Sequence, residues 1–253
     1  MTAAQAGWGD PCRAVGFSGV TMSLWKRIRF WIVRIFLIGL IIASLPPLLI
    51  VAYRWVDPPL TVPILLEWVT GKQPRQNWVS LSEISPLLVA GATMSEDARF
   101  CRHNGVDWET LYAQVEAVQE GERARGASTI SMQTTKNLFL WQSRSYTRKA
   151  VEIPLALWAD WFLGKPRMIE IYLNVAEFGP SLYGAEAAAQ AYFNKPAKAL
   201  GRSEAARLAT ALPNPKSRNA GRPSRRHARL ARTVERRIRQ AEPWLDCLPD
   251  LKP

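Results

Sequence analysis

The chain is poor in the residues that build metal centres and disulfide frameworks. Its 253 residues include three cysteines, at positions 12, 101 and 247, and two histidines, His103 and His227. The cysteines have neither metal-ligand spacing nor an even number, so no structural bridge is expected from them. The histidines lie far apart, one before an Asn-Gly turn and one in a basic tail, which argues against a zinc site. There is no internal repeat, no long alternation of β-branched residues, and no Ala-x-Ala cleavage site of the kind that ends a signal peptide. Acids are also scarce: 21 Asp and Glu against 33 Lys and Arg give a formal charge of +12. That charge draws polyanions, whether lipid headgroups, phosphorylated substrates or nucleic acid, without choosing among them.

What is present begins with a hydrophobic run. Residues 35–53 carry no charge and are long enough to cross a hydrocarbon layer of about 30 Å as one helix, which Pro46 and Pro47 should kink. A buried core helix is the alternative reading. Lys26, Arg27, Arg29 and Arg34 precede the run, whereas Arg54, Asp57 and Glu67 follow it, so the positive-inside rule places the N-terminus in the cytoplasm and the bulk of the chain outside. Residues 1–21 lack pattern, and Met22 is a plausible start. Leu60 to Val69 is apolar with a single charge; it either lies at the headgroup level, in company with Trp25, Trp31, Tyr53, Trp55 and Trp68, or packs on the domain.

From Ser85 to Gln240 the dominant hydrophobic period is helical, with breakers at Gly164 and Pro166, Gly179-Pro180, Pro196 and Pro213-Asn214-Pro215. A mainly α domain is expected. Lys216 to Arg239 holds ten basic residues against the single acid Glu235, a run that is either a solvated, partly helical tail or a surface drawn to anionic lipid.

Five stretches carry chemistry. In the first, Glu96 and Asp97 stand before Phe100, His103 and Gly105; on a continuous helix Glu96, Phe100 and His103 would share one face, and partial burial would raise the pKa of Glu96 and make it a usable base. His103 is expected to hold the turn. In the second, Gly126-Ala127-Ser128-Thr129 opens a helix that carries Gln133 and Lys136, either a phosphate-binding N-terminus or an N-cap alone. The third places Arg148 and Lys149 beside Glu152, where Arg148 and Glu152 at i, i+4 could be only a helix salt bridge. The fourth, Glu170 to Asn174, should brace the fold. The fifth, from Tyr183 through Glu186 to Lys195, is a small-residue helix whose Glu186 could line a cleft.

Taken in order these stretches resemble the five motifs of the peptidoglycan glycosyltransferases, glycosyltransferase family 51, over roughly Leu81 to Pro215: Glu-Asp-x-x-Phe-x-x-His-x-Gly, Gly-x-Ser-Thr-Ile-x-x-Gln, Arg-Lys-x-x-Glu, Glu-x-Tyr-Leu-Asn and the Glu186 helix. The larger members add a transpeptidase bearing Ser-x-x-Lys and Lys-Thr-Gly; Lys-Thr-Gly is absent and Ser-x-x-Lys occurs at Ser23 to Lys26 beside the hydrophobic run. A monofunctional member without penicillin chemistry is therefore expected. The resemblance implies a lysozyme-like, mainly α domain with one N-terminal transmembrane helix, divided as cytoplasmic segment 1–34, anchor 35–53, membrane-proximal linker 54–80, glycosyltransferase domain 81–240 and tail 241–253.

The same resemblance implies an enzyme of the cell inner membrane whose periplasmic domain polymerises lipid II with inversion at the anomeric carbon and release of undecaprenyl pyrophosphate. Glu96 and Glu152 are then catalytic. Asp97, Ser128, Thr129, Gln133, Lys136, Arg148 and Lys149 bind substrate, and Phe100, His103, Gly105, Glu170, Asn174 and Glu186 support the site. Glu152 is also a candidate ligand for a divalent cation, Mg²⁺ or Mn²⁺; no organic cofactor is expected. The implied partners are lipid II and the growing glycan chain, membrane lipids, and proteins of cell division or wall synthesis; nucleic acid is not among them. Ala127, Met132 and Asn194 depart from the family's usual residues, which affects substrate-loop detail. Two rival readings remain at this point. A glycan-cleaving enzyme on the same frame has no need of the cations at Lys136, Arg148 and Lys149, and a non-enzymatic binding module would show salt-dependent affinity for polynucleotides.

Overall fold

The computed structural model describes residues 24–122, 126–143 and 145–248; the Met22 start and the ends of the expected N- and C-terminal segments lie outside them. The chain divides into two units, Met1–Ala43 and Ser44–Pro253. The first helix, α1 (Leu24–Ala52), begins before the charge-free run because its basic flank is helical too, and it continues through Pro46 and Pro47. Its most apolar stretch has a mean hydropathy of 2.6 and almost no burial. Length, composition and an exposed apolar surface together make it an N-terminal membrane-anchoring helix.

In the second unit the helices are α2 (Val62–Val69), α3 (Pro86–Glu96), α4 (Trp108–Gln119), α5 (Ile130–Phe139), α6 (Tyr146–Val175), α7 (Ala185–Phe193), α8 (Arg202–Ala211) and α9 (Arg225–Ile238). The expected mainly α domain is what forms. The breakers act as their chemistry requires. Gly164, at φ 72°, splits α6 into two helices, and Pro166 stands in the first turn of the second. The apolar stretch Leu60 to Val69 supplies α2, whose Ile64 is buried while Leu65, Leu66, Trp68 and Val69 are exposed.

Three strands escaped the sequence reading: β1 (Arg75–Gln76), β2 (Glu177–Gly179) and β3 (Leu182–Tyr183). They form a sheet in the order β1-β3-β2, with β1 parallel to β3 and Arg75 opposite Leu182. Strands of two or three residues are too short to show a period of two.

The core is centred on α3, which is buried from Leu88 to Thr93 and packs against α8 and α9. Gly91 makes that approach feasible, because a Cβ there would meet Ala209 Cβ at 3.2 Å and Ile238 Cδ1 at 3.3 Å. The second half of α6, Met168 to Val175, is almost wholly buried, and α5 lies along α6.

Two expectations are corrected. Glu96, Phe100 and His103 do not share one helix face: α3 stops at Glu96, Asp97 adopts φ −157°, and Phe100–Arg102 forms a separate 3₁₀ turn. The helix ends because the Asp97 carboxylate is used elsewhere, as described below. Cys101 and Cys247 form a disulfide with a Cα–Cα distance of 5.4 Å, where no bridge was expected. The parity argument fails because Cys12 precedes the membrane helix, which leaves an even pair after it. A crosslink closing 146 residues removes unfolded-chain entropy worth about 5 kcal/mol in the loop-closure treatment.

Gly105 is the backbone position on which the first motif's turn depends. Its φ is +82°, and a Cβ would lie 2.6 Å from the carbonyl oxygen of Ala156 in α6. Gly105→Ala should therefore destabilise the domain by about 2 kcal/mol or more, from left-handed strain plus a backbone clash. Gly121→Ala, at φ +83° with open space around it, should cost only about 1 kcal/mol. Thermal unfolding of the detergent-solubilised chain, followed by tryptophan fluorescence, reads the difference.

Candidate active site

Two adjacent carboxylates at the end of α3 have opposite environments. Asp97 is saturated: its oxygens accept from His103 Nε2 at 2.9 and 3.1 Å and from the backbone N–H of Ile130 at 2.9 Å. It thus occupies the N-terminus of α5, where the positive end of the helix favours a carboxylate. Thr129 completes that start, accepting from Met132 N at 3.2 Å and donating to Gly105 O at 2.5 Å. The helix opening that sequence left open between phosphate site and cap is an N-cap, with Asp97 as its anion. His103 holds the turn, as expected, and Phe100 is buried under Lys165, whose Nζ lies 4.6 Å from the ring centroid.

Glu96 is poorly satisfied by comparison. Its contacts are a 3.3 Å hydrogen bond from Gln133 Nε2 and a 3.4 Å bond from Ser95 Oγ. Burial raises its pKa, and the Gln133 and Ser95 hydrogen bonds and the positive charge of Arg218 only partly offset that. Gln133 is oriented in turn by the hydroxyl of Tyr172, which donates to Gln133 Oε1 at 3.3 Å.

Glu152 lies 1 % exposed on α6, between two cations. One oxygen accepts from Arg148 Nη1 and the other from Lys149 Nζ at 2.7 Å. Lys149 also donates to Ser128 Oγ at 2.7 Å, and Gln133 Nε2 approaches Ser128 O at 3.5 Å. A chain of polar contacts therefore runs from Glu96 through Gln133, Ser128 and Lys149 to Glu152. Lys136, half-buried nearby, has its pKa lowered by burial, with Arg148 and Lys149 adding to the shift and Glu152 opposing it. Both carboxylate oxygens of Glu152 accept from a cationic side chain, so a divalent cation there would have to share the carboxylate with Arg148 and Lys149 against their charge. No group of three or more His, Cys, Asp or Glu side chains that could hold a metal ion exists among the described residues.

Two cavities flank this chain of contacts. One of about 230 Å³ is lined by Glu96, Ser128, Thr129, Arg99 and Arg237. The other, about 450 Å³, is lined by Gln133, Lys136, Tyr172, Glu177, Leu212 and Lys216, among others. Sequence reasoning missed Lys216, Arg218 and Arg237, which it placed in an undifferentiated basic tail. Lys216 and Arg218 precede α9 in the loop that returns to the cleft, and Arg218 is held by donating to Thr210 O at 2.6 Å. The turn Pro213-Asn214-Pro215 was the available signal that the chain reverses there.

The supporting residues brace the frame. Glu170 accepts from Leu81 N at 2.8 Å and pairs with Arg167. Asn174 clamps Val79, accepting from its N–H at 3.0 Å and donating to its carbonyl at 2.9 Å. Glu186 accepts from Ala197 N at 2.6 Å and from Gln190 at 3.0 Å, so it ties α7 to the following turn and lines neither of the two cavities beside Glu96. Asn194 adopts the left-handed conformation at the end of α7, which explains why asparagine serves where glycine is usual. Met132 is fully buried against Val106 and Ala156.

The sequence is similar to known proteins over this same region. The family model described as Transglycosylase matches residues 64–240. A biosynthetic peptidoglycan transglycosylase of Rhizobium leguminosarum bv. trifolii is 47% identical over 226 residues, covering 88% of this chain and 97% of the relative. Proteins of the same name from Agrobacterium fabrum and Brucella suis are 48% and 44% identical, covering 86% and 82% of this chain and 96% and 93% of the relatives.

The two glutamates should respond oppositely to amidation. Glu96 has a folded-state pKa above its unfolded value, so its contribution to stability is present at low pH and is lost as pH rises through the folded value. Glu96→Gln should leave the folded state as stable as the parent or more so near neutral pH, with the difference vanishing below the ordinary carboxylate range. Glu152→Gln should destabilise by about 3 kcal/mol, since it strands two cations. Thermal unfolding of both variants across pH 4 to about 8 checks the signs.

Proposed function

We propose, for a chain that belongs to the transglycosylase family and is thereby a peptidoglycan glycosyltransferase, that it polymerises lipid II with Glu96 as the base. The observation that carries this reading is the contrast between Glu96, a half-buried carboxylate short of donors beside a cavity, and a separate cluster of cations that a proton-abstracting base alone would not need.

In this mechanism the 4-hydroxyl of the acceptor's N-acetylglucosamine meets Glu96 in the smaller cavity. The hydroxyl oxygen attacks the anomeric carbon of the lipid-linked donor as its proton passes to Glu96, and the bond from that carbon to the pyrophosphate oxygen breaks. The anomeric centre inverts, and undecaprenyl pyrophosphate departs with the electron pair. The raised pKa of Glu96 makes it a stronger base once ionised, and Gln133 holds it in place. Lys136 and Lys216, in the larger cavity, are suited to the pyrophosphate, with Arg148 and Lys149 behind them. Glu152 acts by fixing those two cations. Negative charge on the leaving group is therefore met by side chains already held in position, which cost little reorganisation in the reaction.

The setting is a bacterial inner membrane, with the N-terminus cytoplasmic and the catalytic domain periplasmic. Basic residues before the span support that orientation, and the Cys101–Cys247 disulfide fits an oxidising compartment. Membrane lipids and wall-synthesis proteins are the expected neighbours there.

Detergent-solubilised protein should convert labelled lipid II to polymer with penicillin present. Glu96→Gln should lower the rate about 10²–10⁴-fold, and polymer made by that variant at the parent rate would refute the assignment. Because the base must be ionised, kcat should rise with pH through a limb above the ordinary carboxylate range. Gln133→Leu, which removes a hydrogen bond that lowers the Glu96 pKa, should move that limb to higher pH.

A further inference from the structure

The turn that follows Glu96 is tied to the C-terminal segment of the chain at several points. Cys101 is disulfide-bonded to Cys247. Arg102 donates to Pro243 O at 3.1 Å and pairs with Asp246 at 3.1 Å. From α9, Arg237 donates at 3.2 Å to the carbonyl of Met94, two residues before Glu96. The segment itself is anchored, with Ala241, Leu245 and Leu248 buried in the core. Both sides of the helix end that presents Glu96 are thus fastened to residues 237–247, which lie beyond the five motifs of the reaction.

We propose that the C-terminal segment is a positioning element for the catalytic base, locked onto the Glu96 turn by the Cys101–Cys247 disulfide. The inference rests on the polymerase reading of Glu96.

Several features favour positioning over mere stapling. The Arg102–Asp246 pair is about half exposed on both sides and would contribute little alone, so the covalent bond is what makes the contact persistent. Glu96 itself has only two long hydrogen bonds at its carboxylate, 3.3 and 3.4 Å, so its placement depends on the backbone that carries it. Asp97 and the disulfide fix that backbone on the C-terminal side, and Arg237 fixes it on the N-terminal side.

Bond formation is balanced by an oxidised thiol–disulfide oxidoreductase of the compartment. The thiolate of one cysteine attacks the oxidoreductase disulfide, the second cysteine displaces that mixed disulfide, and two electrons and two protons leave with the oxidoreductase as its dithiol. The sequence has no third cysteine after the membrane helix, so no wrong pair can form within the domain.

The test compares the parent with the Cys101→Ser/Cys247→Ser double variant, and with an Arg102→Met variant that keeps the disulfide. All are assayed as full-length, detergent-solubilised protein well below the midpoint of thermal unfolding. Displacements of about an ångström at a reacting group cost up to about a hundredfold. The double variant is therefore expected to lose about ten- to a hundredfold in kcat with KM for lipid II within about twofold of the parent. The acid limb of its pH profile should move, because the surroundings of Glu96 change. Arg102→Met should shift kcat in the same direction by less. A double variant that is less heat-stable but has the parent's kcat and pH profile would show a staple only and overturn the proposal. A fall in kcat with an unmoved pH profile would also overturn it, since the base would then be undisturbed. A parent chain that carries the disulfide but makes no polymer would refute the polymerase reading and this inference with it.

Discussion

The carboxylate of Asp97 is the constraint on which the site depends. It is shared between the imidazole of His103 and the first free N–H of α5, so one side chain holds together the turn after α3, the start of the second motif and the end of the first. Asp97 ends α3 one residue after Glu96, and the dihedral change at that residue gives two consecutive acids unlike surroundings. One is spent on structure, with three hydrogen-bond contacts and a helix dipole. The other is left with two weak donors and an interior that disfavours its charge. In the proposed mechanism that second carboxylate is the base, and burial is what raises its pKa.

Glu152 follows the same logic in reverse. Its two oxygens accept from Arg148 and Lys149, so each already faces a positive charge, and the carboxylate holds two cations close together on one turn of α6. Arg148 and Lys149 stand four and three residues before Glu152, the spacings at which opposite charges meet on a helix. Lys136 reinforces the same field from α5. In the proposed mechanism the division of labour is electrostatic: the carboxylate short of donors takes the proton, and the one paired with two cations holds them ready for the pyrophosphate.

Much of this was legible in the sequence because it rests on local signals. Helices with a clear period and a Gly or Pro at the end formed where expected, and the residues of the first three motifs meet around Glu96 and Glu152, while Glu170, Asn174 and Glu186 brace the frame. The unreadable parts share a different physics. The end of α3 at Glu96 is set by an acceptor satisfied 33 residues away, which no local propensity reports. The disulfide spans 146 residues, and counting cysteines over the whole chain obscured a pair that stands alone on one side of the membrane helix. Lys216, Arg218 and Arg237 sat in a run of ten basic residues, where composition alone shows a charged tail and only the return of the chain after Pro215 separates those at the site from those in solvent.

Helix α6 also reaches the end of α1. Its first turns carry Arg148, Lys149 and Glu152; further along, Trp158 donates to the carbonyl of Pro47, Arg54 donates to the carbonyl of Phe162, and Arg167 grips Tyr53 O, Val56 O and Asp57. The end of α1 and the residues after it are therefore fastened to the helix that positions the cations. In the proposed mechanism the leaving group is a lipid-linked pyrophosphate, so the cations that would receive it benefit from a fixed place relative to the residues that follow α1. Bonds from both helical parts of α6, before and after Gly164, to residues 47–57 supply that fixed place. A loop carrying the same three residues would not, because the freedom of its backbone would let the cations relax away from the leaving group and lose the advantage of being placed before the reaction begins.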